Sequence, residues 1–264
     1  MQIIRVRLVN SKDKEKGCKE APVEVLKELG KIDCKESKEL FEFDKLNLEE
    51  IHVDLNNLEE ANYLIFKNSL EAFEKNDQVF FIGGDHSISY SVCKAFEKTE
   101  SNPLIILFDA YVDCCLSKRK QPNNREWLGK LIKEGFNERN IILLSSRSFT
   151  KEEIEFLKEN KITLISMEIL QEDLEGVCDL VMERARGSSG FYISIDINCV
   201  DPGFAPGTNC PEPGGMSSRD LIYFTKRLKL LENFKGGDIV EINPKLDFNN
   251  LTVKLGAKLL SEMI

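Results

Sequence analysis

The sequence predicts an α/β protein, a three-layer α/β/α sandwich around a mostly parallel β-sheet. Short apolar runs alternate with amphipathic helical patterns from end to end, and polar residues able to do chemistry directly follow several of the runs. Such alternation is typical of a parallel sheet covered by helices on both faces. The 264 residues, 42% of them hydrophobic, suffice for a sizeable core. Because no low-complexity linker interrupts them, we expect a single domain over residues 1–264.

The predicted strands are runs that are too short to be helices. Residues 1–7 form an N-terminal strand and lack the apolar core of a signal peptide. Five further runs are apolar on both faces, as strands in a covered parallel sheet must be. These five runs occupy residues 78–82, 104–108, 140–144, 191–195 and 238–242.

Helical patterns lie between the strands. Leucine or phenylalanine recurs on one helical face within residues 66–73 and again within 251–259. Thr150 followed by Glu153 has the spacing of a capping box, and Asn57 begins a similar pattern. These signals support alternating strands and helices.

The composition argues against several classes of partner. The net charge of −9 disfavours nucleic acid and anionic membrane surfaces, and no apolar run is long enough to span a membrane. The eight cysteines show no C-x-x-C spacing, so we expect free thiols and a cytoplasmic protein. Three of them, Cys114, Cys115 and Cys199, lie beside candidate ligands, and we interpret them as small buried residues.

Four predicted strands end in residues that bind hard cations. In such sheets, ligands bind outside the carboxyl ends of the strands, so these polar residues are expected to gather at one edge. Carboxylates and one imidazole together predict a divalent-cation site. The four segments are FIGGDH at 81–86, FDAYVD at 108–113, SIDIN at 194–198 and VEINP at 240–244.

The candidate ligands are one nitrogen and three carboxylates: His86, Asp109, Asp113 and Asp196. This set suits Mn²⁺ or a similar oxygen-preferring ion, whereas a structural zinc more often uses cysteine. A lone histidine is more often a buried, hydrogen-bonded residue, but three acidic strand ends beside His86 favour a ligand. The other histidine, His52, has no acidic strand ends beside it, and we interpret it as structural or exposed.

Two residues interrupt the ligand pattern. Asp109, Tyr111 and Asp113 form an i, i+2, i+4 series, which in an extended chain lets three side chains face one cation. Asp196 and Asn198 repeat the i, i+2 spacing. A phenol binds a metal well only after losing its proton, and an amide oxygen carries no charge. The sequence therefore leaves Tyr111 and Asn198 as weak points of the site.

The four segments resemble the motifs of the ureohydrolase superfamily, which includes arginase, agmatinase and formiminoglutamase. Its patterns GGDHS, DAHxD, SxDxDxxDPxxAPGT and EVNPxxD correspond to residues 83–87, 109–113, 194–208 and 241–247. The likeness is ordered along the chain from about residue 17 to the C terminus, and it implies an arginase-like fold. Trp127 and residues 146–153 are more similar to agmatinase-like members than to arginases.

The resemblance implies two Mn²⁺ ions that together activate a water molecule against a guanidinium carbon. The second ion would share Asp109 and Asp196 and take Tyr111 and Asn198 in place of a histidine and an aspartate. Asn124 falls near the position of a histidine implicated in catalysis, and Glu241 matches the residue that faces the guanidinium. The ligands of the first ion are all present: His86, Asp109, Asp113 and Asp196.

The charges favour a single ion. Three carboxylates with one divalent cation leave a net charge of −1, whereas with two divalent cations they leave +1. Loss of one carboxylate therefore goes naturally with loss of one cation, and we predict one Mn²⁺ per chain. The superfamily also implies a homo-oligomer, a trimer or a hexamer.

Three functions remain open from the sequence. The first is a one-metal hydrolase of a C–N bond in a guanidino or amidino compound, with Glu241, Asp109 and Asp196 as catalytic residues and Glu241 binding the substrate. The second is a non-catalytic pseudoenzyme that regulates or assembles with an active relative. The third is a protein whose acidic strand ends bind nothing, which their mutual repulsion disfavours.

Overall fold

The computed structural model describes residues 1–11, 16–115 and 119–264. The strands in this part of the chain are β1 (Gln2–Val6), β2 (Asn47–Ile51), β3 (Val79–Gly83), β4 (Pro103–Phe108), β5 (Ile141–Ser146), β6 (Thr163–Ser166), β7 (Gly190–Asp196) and β8 (Phe234–Val240). The helices are α1 (Ala21–Leu29), α2 (Leu58–Lys75), α3 (Ile88–Thr99), α4 (Trp127–Lys133), α5 (Lys151–Glu159), α6 (Met167–Glu172), α7 (Leu174–Arg186), α8 (Ser218–Leu228) and α9 (Leu251–Met263).

All of these strands pair into one sheet in the order β2-β1-β3-β8-β7-β4-β5-β6. Every pairing is parallel. The last two strands in sequence, β7 and β8, are inserted between β3 and β4. The four strands with polar carboxyl ends are therefore neighbours at the centre of the sheet, where a doubly wound fold places its ligands.

Helices cover both faces of the sheet. Phe80 and Ile82 of β3 point into an apolar cluster with α1, α7, α8 and α9. Val79 and Phe81 of the same strand point into a second cluster with α2, α3 and α4. Alternate residues of one strand thus enter opposite layers, as the period of a strand requires. The predicted α/β/α sandwich is confirmed.

The strand predictions are confirmed for the buried interior and fail at the edges. The five apolar runs all lie in or overlap strands, although β8 begins at Phe234 rather than at 238. The edge strand β2 carries Glu49 and Glu50 and is largely exposed, so it gives no apolar signal. Both helix starts are confirmed, since Thr150 forms a complete capping box and the Asn57 side chain accepts from the backbone of α2.

In the described part of the chain, no helix combines the length and the apolar character needed to cross a membrane.

Gly84 joins the end of β3 to two neighbouring segments. Its N–H donates to the carbonyl of Val6 at 2.9 Å, and its carbonyl accepts from the N–H of Glu241 at 2.9 Å. A Cβ at this position would lie 2.0 Å from the carbonyl oxygen of Leu8. The backbones approach so closely here that only glycine fits, and this contact sets the height of His86 above the sheet.

Substitution of Gly84 by alanine is expected to lower the free energy of unfolding by about 1–3 kcal/mol, because overpacking against backbone forces segments apart. Gly187→Ala is the matched control, since its Cβ would meet nothing nearer than the Arg184 carbonyl at 3.6 Å. Urea denaturation of both variants measures the difference. Equal stability of the two variants would contradict the close approach at Gly84.

Candidate metal centre

The predicted ligands lie at the carboxyl ends of the four central strands. His86 follows β3, Asp109 follows β4 directly, Asp196 is the last residue of β7 and Glu241 follows β8. Asp113 lies four residues beyond Asp109 in the same loop. Because the strands are parallel and adjacent, their ends meet, and side chains far apart in sequence come together.

Four of these side chains form a compact buried cluster. Nδ1 of His86 lies 3.2 Å from Oδ2 of Asp109, 3.0 Å from Oδ2 of Asp113 and 3.4 Å from Oδ2 of Asp196. The ligand atoms of the four residues all lie within 4.8 Å of one another. The sequence prediction that these residues converge is confirmed.

Two atoms of the cluster lack hydrogen-bond partners. His86 Nδ1 and Asp109 Oδ2 are buried, and neither forms an aligned hydrogen bond. Buried polar atoms are nearly always paired, so an unpaired imidazole nitrogen facing an unpaired carboxylate oxygen indicates that an additional group belongs between them. One nitrogen and three carboxylate oxygens suit a divalent cation such as Mn²⁺, and the residues present therefore fit that ion.

A buried hydroxyl and carboxylate fix the orientation of His86. Ser194 Oγ donates to Oδ1 of Asp238 at 2.7 Å and lies 3.1 Å from Nε2 of His86. Since the hydroxyl hydrogen is used on Asp238, Nε2 must donate its own hydrogen to Ser194. Nδ1 then presents its lone pair to the three carboxylates. This is the tautomer of a metal-binding histidine, held by a partner beyond the ligands.

This supporting network includes further hydroxyls that no sequence motif indicates. Asp238 also accepts from Ser89 Oγ at 2.8 Å and from the Tyr192 hydroxyl at 3.0 Å. Asp238 lies inside β8, two residues before the strand ends, so it resembles a strand residue more than a site residue. Its one signal is an aspartate in a buried parallel strand, where a carboxylate needs partners.

The cluster is electrostatically unfavourable without a cation. Burial, together with repulsion from Asp113, raises the pKa of Asp109 to about 7. Burial and repulsion from Asp109 raise the pKa of Asp196 to about 6. Burial alone would lower the pKa of His86, but the surrounding carboxylates raise it well above its usual value. The group of side chains therefore favours an added positive charge, either protons or a metal ion.

Backbone strain occurs at two residues of the site. Asp113 has φ of 56° and Glu241 has φ of 64°, a left-handed conformation that side chains other than glycine rarely adopt. Asp113 Oδ2 accepts from the indole N–H of Trp127 at 3.1 Å, and the ring of Trp127 lies 4.8 Å from that of His86. Trp127 therefore positions two candidate ligands, whereas the sequence indicated it only as a subfamily marker.

Tyr111 does not face the cluster. Its hydroxyl donates to Oε2 of Glu212 at 3.1 Å, and the guanidinium of Arg125 lies 4.4 Å above its ring. The expectation that Asp109, Tyr111 and Asp113 point one way is therefore wrong for the tyrosine. The reason is local, because the Tyr111 N–H donates to Oδ1 of Asp109 at 2.9 Å and the chain bends at residues 110 and 111, so it is not extended as the spacing assumes.

Asn198 points toward the cluster but offers it a hydrogen. Its Nδ2 donates to Oδ2 of Asp196 at 3.1 Å, and its Oδ1 accepts from the hydroxyl of Thr208. The amide thus places a donor where a second cation would need a lone pair, and its oxygen is engaged elsewhere. It gives Asp196 a hydrogen-bond donor but no compensating charge.

Glu241 lies buried beside the cluster. Its Oε1 accepts from the backbone N–H of His86 at 2.9 Å and from Nδ2 of Asn124 at 3.0 Å. Its Oε2 lies 3.9 Å from the Cys18 thiol. Burial, with repulsion from Asp196, raises the pKa of Glu241 well above its usual value. Asn124, predicted as the position of a lost histidine, thus touches a buried acid beside the candidate ligands.

The remaining predictions concern residues outside the cluster. The side chain of His52 is 86% exposed and lies 3.6 Å from Glu50, so the exposed alternative holds. Cys114 and Cys199 are buried as expected, whereas Cys115 is only half-buried. All eight cysteines are free thiols.

A parallel sheet with two strands inserted at its centre, and a buried histidine–aspartate cluster at their ends, defines a metal-site α/β protein. Comparison with known proteins specifies the family. The chain matches the family described as Arginase over residues 2–264. The chain therefore belongs to the arginase family of ureohydrolases.

Individual relatives agree with this family. Arginase 1, mitochondrial, of Oryza sativa subsp. indica is 36% identical over 188 residues, which are 69% of this chain and 53% of the relative. Agmatinase of Bacillus subtilis (strain 168) is 31% identical over 192 residues, 72% of this chain and 64% of the relative. The matches thus span between about half and two thirds of these relatives.

The fold has close structural counterparts. The crystal structure of formimidoylglutamase from Bacillus subtilis subsp. subtilis str. 168 superposes with a TM-score of 0.92 at 23% identity, covering 99% of this chain and 85% of that one. At this level of identity the likeness establishes the arginase-like fold.

Substitution of Ser194 by alanine is expected to weaken Mn²⁺ binding about 10–100-fold, because His86 loses the acceptor that fixes its tautomer. Ser89→Ala is the matched control, since it removes a hydroxyl from Asp238 without touching His86. Equilibrium dialysis with Mn²⁺ measures both affinities. An equal, small effect of the two variants would contradict the positioning role of Ser194.

Proposed function

We propose that this protein is a hydrolase that breaks a C–N bond of a guanidino or amidino substrate with one divalent cation, Mn²⁺, per chain. The observation that carries the proposal is the convergence of His86 Nδ1 and three buried carboxylates on one point, with Nδ1 and Asp109 Oδ2 left unpaired. Family membership supports the same reaction class.

The cation would be held by four side chains: His86, Asp109, Asp113 and Asp196. When bound, such an ion supplies the Lewis acidity that lets a water molecule lose a proton near neutral pH. Among the described residues, Asp109 Oδ2 has no hydrogen-bond partner, so it would accept that proton. As the oxygen adds to the amidine carbon, the C–N bond would break, and the proton would pass from Asp109 to the departing amine. Asp196, whose two oxygens accept from the backbone N–H and the amide of Asn198, would help to hold the ion.

Glu241 would bind and orient the substrate. Oε1 is engaged by His86 and Asn124, so Oε2, with only a distant thiol, is the acceptor left for an amidinium N–H. A cationic amidinium beside this buried acid would restore its carboxylate form, because an opposite charge lowers the pKa of an acid. The substrate carbon would then lie between Glu241 and the four candidate ligands.

The contacts of two residues support one metal rather than two. Tyr111 is bound to Glu212 and Arg125, and the Asn198 amide donates to Asp196. Both side chains would have to turn and lose these contacts to bind a second cation. We therefore propose an agmatinase-like protein that has lost its second metal site. We further propose that the protein is cytoplasmic and forms a homo-oligomer, a trimer or a hexamer.

A second candidate is a metal-binding pseudoenzyme that regulates or assembles with an active relative. The observation that favours it is Asn124, whose amide occupies Oε1 of Glu241 at 3.0 Å. An amide carries no titratable proton for the leaving amine. Measuring whether the protein turns over a substrate distinguishes the hydrolase from the pseudoenzyme.

Mn²⁺-loaded protein is expected to release urea from a guanidino substrate or formamide from a formimidoyl one. Glu241→Gln should lower kcat/KM by about 100-fold or more, because the acceptor for the amidinium becomes neutral. The control Glu232→Gln removes an acid outside the site. Full metal content with no release from any guanidine or formimidoyl amino acid would reject the hydrolase in favour of the pseudoenzyme.

The double change Tyr111→His with Asn198→Asp should raise the metal content from one to two Mn²⁺ per chain, because it supplies an imidazole and a carboxylate at the two altered positions. Metal analysis after dialysis provides the measurement, and Tyr111→Phe with Asn198→Ala is the matched control. Unchanged content in the double variant would show that these residues do not border a second site.

A further inference from the structure

Arg125 is a half-buried cation whose charge is not paired by any carboxylate of the described residues. Its Nη2 donates to the Cys210 thiol at 3.4 Å, and its guanidinium lies 4.4 Å from the centre of the Tyr111 ring. Within residues 1–11, 16–115 and 119–264, its Nε and Nη1 have no acceptor and no carboxylate forms an ion pair with it. A half-buried arginine normally has such a partner.

The thiol does not supply the missing negative charge. Burial raises the pKa of Cys210 above its usual value, so the sulfur is a neutral acceptor at physiological pH. Asp113 attracts the guanidinium through space, but its Oδ2 is committed to His86 and Trp127. The guanidinium therefore retains donors for an external anion.

Arg125 lies close to the buried cluster. Its neighbour in the chain, Asn124, donates to Glu241, and its guanidinium stacks on Tyr111, which lies between Asp109 and Asp113 in the sequence. The candidate ligands and Glu241 are buried, whereas Arg125 is half-buried, so its guanidinium is more exposed than the cluster.

Tyr111 holds the guanidinium in a defined orientation. Glu212 fixes the phenol through its hydroxyl at 3.1 Å, and the ring face then supports Arg125 by a cation–π contact. A stacked guanidinium keeps the N–H groups at its edge free to form two parallel bonds to a planar anion. The residue that replaces a metal ligand thus supports an anion-binding group.

We propose that Arg125 recognises a carboxylate on the substrate, so that the preferred substrate is an amidino or guanidino carboxylic acid rather than an amine. This inference rests on the proposed function, since it assigns the far end of the same substrate. Glu241 binds the cationic amidinium of the substrate, and Arg125 binds the carboxylate at its other end. The two protein charges have opposite signs, which matches a zwitterion and disfavours a substrate with two cationic ends.

The test compares three ligands with the same guanidine and a four-carbon chain: 4-guanidinobutanoate, n-butylguanidine and agmatine. Their tails are anionic, neutral and cationic. Titration calorimetry of the Mn²⁺-loaded protein gives each Kd, and urea release is measured in parallel. The variants are Arg125→Gln and the control Lys120→Gln, a cation of the same loop that pairs with Glu59. Metal content and Tm verify that each variant is folded and loaded.

The wild-type protein is expected to bind 4-guanidinobutanoate about 10–100-fold more tightly than n-butylguanidine, since a charged hydrogen-bonded pair contributes that much. Agmatine should bind most weakly. Arg125→Gln should bring the ratio of the first two affinities close to one, and Lys120→Gln should leave it unchanged.

The outcomes separate this inference from the proposed function. Carboxylate preference lost in Arg125→Gln, even without turnover, supports the inference and counts only against the hydrolase. Turnover with no tail preference supports the hydrolase and overturns the inference. A preference that survives in Arg125→Gln, or no binding of any of the three ligands, also overturns it.

Discussion

The structure depends on one electrostatic constraint, the burial of three carboxylates around a single imidazole nitrogen. Repulsion among acids excluded from water has to be offset by positive charge. The parallel sheet causes this repulsion, because the insertion of β7 and β8 between β3 and β4 brings four acidic strand ends together. The hydroxyl–carboxylate network of Ser194 and Asp238 then turns the lone pair of His86 toward the acids. The arrangement is stable as a whole once a cation supplies the missing charge.

The two altered positions have a consistent physical explanation. Asn198 gives Asp196 a neutral donor, and Tyr111 turns outward to Glu212 and Arg125. On the one-metal proposal, these internal contacts stand where a second cation would otherwise be bound. The site then keeps one cation, and the ring of Tyr111 supports the guanidinium of Arg125 instead.

The sequence predicted the parts of the molecule in which residue type and position follow from one requirement. Buried parallel strands must be apolar on both faces, and ligands must follow their carboxyl ends, so His86, Asp109, Asp113 and Asp196 could be identified. The exposed edge strand β2 has no such pattern. The orientation of Tyr111 depends on a bend after Asp109 and on contacts with Glu212 and Arg125, and the role of Asp238 depends on hydroxyls from three separate segments. Such contacts join segments far apart in the chain, so local sequence patterns do not specify them.

The most direct test of the central claim is anomalous diffraction at the manganese edge from crystals soaked in Mn²⁺. One peak per chain, surrounded by His86, Asp109, Asp113 and Asp196, is the predicted result. Two peaks, with Tyr111 and Asn198 turned inward as ligands of the second, would contradict the account. Absence of any peak at saturating Mn²⁺ would contradict it as well, because the buried charge would then be balanced by protons alone.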